Sequence, residues 1–176
     1  MYSIDELPLQ DLQNFWSLLY MDFCRKICTD HPAEGETVIR RAIAETGRRQ
    51  GEWQRQEHEQ MGLNTNLHSF FLDGRGAVCD PRSAAAVHTR NTEACLWDRY
   101  ICPMANYWAA HSAEAYGRFY CEEYMRAFLS GYTGGKGQFH LSKVLTDKRD
   151  ILCQFAAYFR PANLELEQRR KAFEST

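Results

Sequence analysis

With 176 residues, 44% of them hydrophobic and 25% charged, the chain has the make-up of a globular protein of one-domain size, long enough to bury a core. A formal net charge of −2 supplies no basic field, so neither nucleic acid nor an anionic membrane surface is expected as a partner. No apolar run approaches the ~18 residues of a membrane span, and the first residues, Met1 to Glu6, lack the basic and apolar regions of an export signal, so the expected location is cytoplasmic.

In chain order, Leu7 to Thr29 reads as a helix. Leu9, Leu12, Phe15, Trp16, Leu19, Phe23 and Ile27 recur at three- and four-residue steps and line one face. That aromatic-rich face would suit a homodimer contact. His31-Pro32 stops the helix. A second helix runs from about Glu34 to Met61, where Gly62 caps it. Gly47 and Gly51, four residues apart on one face, let another backbone approach closely, at a cost of up to ~1 kcal/mol each in helix propensity. Arg48 to Gln60 is dense in Arg, Glu and Gln and reads as a solvated face.

Leu67 to Leu72 is a short apolar strand or helical turn, and Asp73 to Gly76 and Asp80 to Ser83 are turn signals. Ala84 to Trp97 alternates as one strand, with Val87, Thr89, Asn91, Glu93, Cys95 and Trp97 on one face and His88, Arg90 and Thr92 on the other. Cys102-Pro103 opens a helix to about Ala110, and a longer helix follows from Ala113 to Leu129, ended by Gly131. Gly134-Gly135-Lys136-Gly137 lacks the spacing of a phosphate loop and precedes a strand pattern, so it is read as a turn. Gln138 to Thr146 and Asp150 to Phe159 form a β-hairpin, with Ile151, Cys153, Phe155, Ala157 and Phe159 on one face. Leu164 to Phe173 closes as a charged helix. The expected architecture is a single α+β domain over 1–176. N-terminal helices (1–62) pack on a small antiparallel sheet with a C-terminal β-hairpin (63–160), and a last helix follows (161–176).

Seven cysteines without an export signal are read as reduced thiols, available for burial, catalysis or metal binding. There is no C-x-x-C pair, so a structural zinc site is not indicated. Four of the seven are placed to converge on one pocket: Cys95 and Cys102 around the end of the strand, Cys121 on the long helix and Cys153 on the hairpin.

The order of these features resembles the L-2-amino-thiazoline-4-carboxylic acid hydrolase family. Four stretches carry the resemblance: Gly47-Arg48-Arg49-Gln50-Gly51, Thr92-Glu93-Ala94-Cys95-Leu96-Trp97, Gly117-Arg118-Phe119-Tyr120-Cys121, and Lys143 through Phe155. Family members often carry an acid three residues after the second cysteine, where this chain has Tyr124, with Glu122-Glu123 just before it. Some open the following helix with Cys-Pro, which matches Cys102-Pro103 instead of Cys95. The resemblance implies hydrolysis of the C=N bond of a cyclic thiazoline, with ring opening to a carbamoyl-cysteine, on a small-molecule substrate; a close variant keeps the pocket and acts at another C–N or C–S bond in specialised metabolism.

That reaction needs an attacking water or nucleophile, a proton for the departing nitrogen and a cation for the substrate carboxylate. The candidates for the chemistry are Cys95, Cys102, Cys121 or Cys153, with His88 or His111 as base and Glu123 or Glu122 as acid. Arg90 or Arg118 would hold the carboxylate through a guanidinium fork. Trp97, Tyr107, Trp108, Tyr120 and Cys153 would wall the pocket. Each has a blander reading as well: Cys153 as a core thiol, Glu122-Glu123 as a solvated helix edge, His111 as a cap and His140 as a surface group. No cofactor is required; a divalent metal such as zinc held by Cys95, Cys121, Cys153 and His88 is the variant with a metal. The alternative of another class is a non-catalytic binding module, since the closing hairpin also resembles that of vinyl-reductase-like ligand-sensing domains.

Overall fold

A computed structural model describes residues 9–72, 85–147 and 149–160. Among these residues the fold is α+β, with five helices and one four-stranded antiparallel sheet. The order is α1 (Leu9–Asp30), α2 (Gly35–Gln60), α3 (Leu67–Leu72), β1 (Ala85–Arg90), β2 (Ala94–Arg99), α4 (Pro103–Ala110), α5 (Glu114–Tyr132), β3 (Gln138–Lys143) and β4 (Cys153–Tyr158), and the sheet is ordered β1-β2-β4-β3. The expected closing helix and the turns from Asp73 to Ser83 lie outside the described residues. No helix among the described residues is long and apolar enough to cross a membrane.

The helices lock together where glycine removes the side chain. A Cβ on Gly47 would stand 2.6 Å from the Tyr124 carbonyl, one on Gly51 would run into the Phe128 carbonyl, and one on Gly131 into the Arg48 carbonyl. The backbones of α2 and α5 therefore touch at three points, as the Gly47/Gly51 spacing leads one to expect. Gly131 belongs to this contact and lies inside α5, which continues to Tyr132 instead of ending at Gly131. Beyond the glycines, α2 buries two polar side chains in the stretch read as solvated. Gln54 Nε2 donates to the Phe70 carbonyl at 3.0 Å, and His58 Nδ1 and the Tyr132 hydroxyl share a hydrogen bond of 2.8 Å. These bonds tie α2 to α3 and α5. Leaving either group buried without its partner would cost ~1–3 kcal/mol.

Helix α1 corrects the sequence reading. Its large apolar stripe faces out: Leu12, Phe15 and Phe23 are 58%, 61% and 60% exposed. The buried face is Ser17, Met21 and Cys24. Close approach explains the choice, because small side chains face the neighbouring helices. A Cβ on Gly35 would lie 2.8 Å from Cys28 Cα, and the Trp108 indole of α4 donates to the Ser17 carbonyl at 3.2 Å.

The expected single strand from Ala84 to Trp97 is instead a hairpin of β1 and β2. Asn91 makes the turn: its Oδ1 accepts from the Glu93 and Ala94 amides at 2.9 and 2.8 Å, and its own amide donates to the Ala94 carbonyl. An Asn side chain that satisfies its own backbone two and three residues on favours a turn over continued strand. On the inner face of the sheet Cys95 lies opposite Ala157, Trp97 opposite Phe155 and Arg99 opposite Cys153. This face packs on Leu67, Phe70 and Phe71 of α3 and on Phe128, Leu129 and Tyr132 of α5. Ile151, expected on the buried face, precedes the strand and is 83% exposed. Gly134 and Gly135 make the α5–β3 turn at positive φ (63° and 83°), where other residues are strained.

Gly51→Ala should lose ~1–3 kcal/mol of unfolding free energy from overpacking, more than the up to ~1 kcal/mol that alanine adds in helix propensity. Urea denaturation checks this; equal or greater stability would show that α2 and α5 are not in backbone contact.

Candidate functional site

The inner face of the sheet ends in charge. Arg99 follows Cys95 and Trp97 on that face and is buried at the meeting of strands and helices. Its guanidinium lies close enough to act electrostatically on the Cys121 thiol, the Cys153 thiol and the Tyr120 hydroxyl, and Cys102 acts on the same three groups. Cys121 and Cys153 thus lie within electrostatic reach of one another, of Cys102 and of Arg99. Cys102 sits at the N-cap of α4, set by the extended backbone before Pro103. Cys121 is on α5 and Cys153 starts β4, where the Leu145 amide donates to its Sγ at 3.2 Å.

Burial dominates the chemistry of this cluster. It pushes the Cys153 thiol from 9.0 up to about 11, with the Leu145 amide and Arg99 pulling the other way. It pushes Cys121 well above its ordinary value, against Arg99 and the neighbouring Thr146 hydroxyl. Desolvation favours the uncharged form, so these thiols are protonated at neutral pH. Cys121 is half-buried at the junction of two core clusters.

Next to these residues, α1, α2 and α5 line an open apolar cavity of about 390 Å³. Tyr20 and Tyr120 line it and are both raised in pKa by burial first, with Cys121 adding to the shift. Tyr120 also meets Trp108 edge-on at 6.0 Å and Trp16 at 5.1 Å. The two tyrosines stand between the thiols and this cavity.

The other expected site residues lie elsewhere. Cys95 is fully buried in the sheet core, four residues up β2 from Arg99, which is ~13 Å of strand rise away. Trp97 stacks on Phe155 at 4.9 Å between the two. His88 is on the outer face of the sheet, bonded to Asp98, and Arg90 is exposed at the end of β1. Tyr107 stacks on the exposed ring of His111 at 4.2 Å. Glu123 and Glu122 are bound to Arg40 at 3.0 and 2.7 Å, and Arg118 binds Glu122 at 2.6 Å. Partial burial pushes the Glu122 carboxyl up, but bonds from Arg118 and Arg40 outweigh it and hold Glu122 below the usual carboxylate range. These charges form an ion-pair network between α2, α5 and the β3–β4 connection, where Asp147 joins Arg118 at 3.6 Å. His88 lies on the opposite face from Cys95 and Cys153, so the expected metal set is not assembled; no three His, Cys, Asp or Glu among the described residues are grouped to hold a metal ion. Arg99 itself was missed: a lone arginine at a strand end reads as a solvent-facing group. The signal was its period of two with Cys95 and Trp97.

Raised thiol pKa values set a sign for pH dependence. The folded state holds these protons more tightly than the unfolded chain, so their contribution to stability is complete below about pH 9 and is lost as pH climbs toward 11, the value reached by Cys24 and Cys153. Melting temperature should therefore fall across that interval, and iodoacetamide labelling of Cys121 and Cys153 should be slow at pH 7 and accelerate with pH. Fast labelling of either at pH 7 would show a thiolate that burial does not permit.

Comparison with curated proteins and with solved structures finds no match. A family model described as L-2-amino-thiazoline-4-carboxylic acid hydrolase matches residues 13–156, a span reaching from α1 into β4 and containing Arg99 and all three clustered thiols. The chain belongs to the L-2-amino-thiazoline-4-carboxylic acid hydrolase family.

Proposed function

We propose that the protein hydrolyses a small cyclic amidine or thiazoline carboxylate at the Arg99 thiol cluster. The observation that carries this reading is that Cys121 and Cys153 lie within electrostatic reach of Cys102 and of the buried Arg99 guanidinium. Family membership supplies the class of chemistry. Arg99 takes the place expected of Arg90 or Arg118 and holds the substrate carboxylate by charge-assisted hydrogen bonds.

Ring opening then proceeds by addition of water. The water oxygen bonds to the ring carbon of the C=N group and gives up one proton while the ring nitrogen gains one. The carbon–nitrogen bond then breaks with its electron pair going to nitrogen, which takes up a second proton and departs as an amine. That second proton comes from the new hydroxyl, which becomes the carbonyl of a carbamoyl group. Cys121 relays both protons: it donates to the ring nitrogen each time and is reprotonated first by the water and then by the hydroxyl. A thiol held protonated by burial suits this role better than that of nucleophile, because the thiolate is the nucleophilic form. A second reading, non-catalytic binding of an apolar ligand, is favoured by the cavity lined by Trp16, Tyr20 and Tyr124.

Steady-state kinetics with 2-amino-thiazoline-4-carboxylate separates the two. Cys121→Ala should lower kcat ~100-fold or more, the usual scale of proton transfer. Arg99→Lys should mainly raise KM, and Cys95→Ala should remain within a few-fold of the unaltered protein if it folds. Full activity in Cys121→Ala refutes the site, and no ring opening by the unaltered protein refutes the hydrolase reading.

A further inference from the structure

Helix α1 is apolar on two opposite faces. The face turned to the protein carries Ser17, Met21 and Cys24. Half a helical turn away, Leu12, Phe15, Leu19 and Phe23 form a stripe that faces out, between 42% and 61% exposed, and Trp16 and Leu18 flank it at 37%. A helix that is hydrophobic on all sides is a buried one. A single copy of the chain covers only one of the two apolar faces of α1.

The size of the uncovered face argues for a protein partner. At ~200 Å² for a whole aromatic side chain, Phe15, Trp16 and Phe23 leave about 300 Å² outside, and the three leucines raise this to roughly 500 Å². The largest apolar patch on a typical monomer is ~300–600 Å², and specific interfaces begin near ~600 Å² per partner. The hollow beside the stripe adds to the area. Trp16 and Phe23 also line the open apolar cavity of about 390 Å³, whose α2 wall includes Ile39, Ala42 and Ile43. Stripe and hollow therefore share an edge.

That pairing of ridge and hollow points to a second copy. A two-fold interface is one patch meeting itself, so a single surface must supply both projection and recess. The stripe is also symmetric about its middle. Phe15 and Phe23 stand four residues to either side of Leu19, so an antiparallel α1 crossing at Leu19 sets each Phe15 on the Phe23 of the other copy. A membrane surface is the poorer match. A helix that lies on a membrane carries a polar face rich in Lys and Arg. Helix α1 has only Arg25 and Lys26, bound to its own Asp22 and Asp30 at 3.1 and 2.7 Å.

We infer that α1 is the docking surface for a second copy of this chain, crossing antiparallel at Leu19, with Phe15 of each copy against Phe23 of the other at the edge of the apolar cavity. The dimer does not rest on the hydrolase reading, because no residue of the stripe belongs to the Arg99 cluster.

Sedimentation velocity on the full chain reads the assembly directly. A particle of twice the 20.5 kDa chain mass should predominate at micromolar concentrations. Phe15→Glu and Phe23→Glu, both at exposed positions, should each weaken it ~100-fold or more with circular dichroism unchanged. Ile151→Glu, on the 83% exposed residue of the β3–β4 connection, should leave it intact. Under mild oxidation Leu19→Cys should cross-link into a dimer faster than Leu12→Cys or the unaltered protein with its native thiols. A single chain at every concentration overturns the inference, whether or not the protein then binds anionic vesicles, and so does a dimer that survives both glutamate substitutions. Cross-linking of Leu12→Cys ahead of Leu19→Cys overturns the antiparallel crossing. The mass of the unaltered protein decides the matter even if a variant fails to fold.

Discussion

The close approach of α2 and α5 is the constraint on which the rest depends. Three glycine Cα atoms lie against carbonyls of the facing helix, a geometry that no side chain at those positions permits. With α5 held this way, its far side meets the sheet through Phe128, Leu129 and Tyr132, and Cys121 is carried to the boundary between the sheet core and the α1–α4 cluster. The buried pairs His58–Tyr132 and Gln54–Phe70 lock the same contact laterally. Hydrophobic burial drives such packing without direction; the glycines and the two buried hydrogen bonds give it one register.

The sheet contributes direction of another kind. Period-two alternation puts Cys95, Trp97 and Arg99 on one face, so a strand that begins in core ends in a cation. Antiparallel pairing sets Cys153 opposite that cation, and the chain after β2 turns at Cys102 to start α4. Three thiols far apart in sequence therefore meet one guanidinium. Burial keeps Cys121 and Cys153 protonated. The two faces of the sheet divide by charge: a buried cation inside, a carboxylate on the outside.

Much of the fold was legible in the sequence because it rests on period and on turn chemistry. The extents of α2 and α4, the existence of the closing hairpin, and the purpose of Gly47 and Gly51 follow from spacing alone. The orientation of α1 did not, since its most hydrophobic face is not the face that packs; close approach selected Ser17, Met21 and Cys24, and a moment of hydrophobicity does not report closeness. The β1–β2 turn was hidden because Asn91-Thr92-Glu93 continues an alternating pattern, and only the Asn91 side chain reveals the reversal. Of the candidate site residues, Cys121, Cys153 and Tyr120 lie within electrostatic reach of Cys102, and Cys95 lies apart in the sheet core. Arg99, His58 and Gln54 went unseen, because a polar residue within a polar stretch gives no sign that its partner is buried. His88 found an acid, but on the opposite side of the sheet from the thiols.

The central claim is that a thiazoline carboxylate binds at Arg99 beside Cys121. Differential alkylation followed by mass spectrometry tests it most directly, at a pH high enough for the buried thiols to react, with and without saturating 2-amino-thiazoline-4-carboxylate. The account predicts that the substrate slows modification of Cys121 and leaves the rate at Cys95 unchanged. Unchanged labelling of Cys121, or equal protection of both, would contradict it.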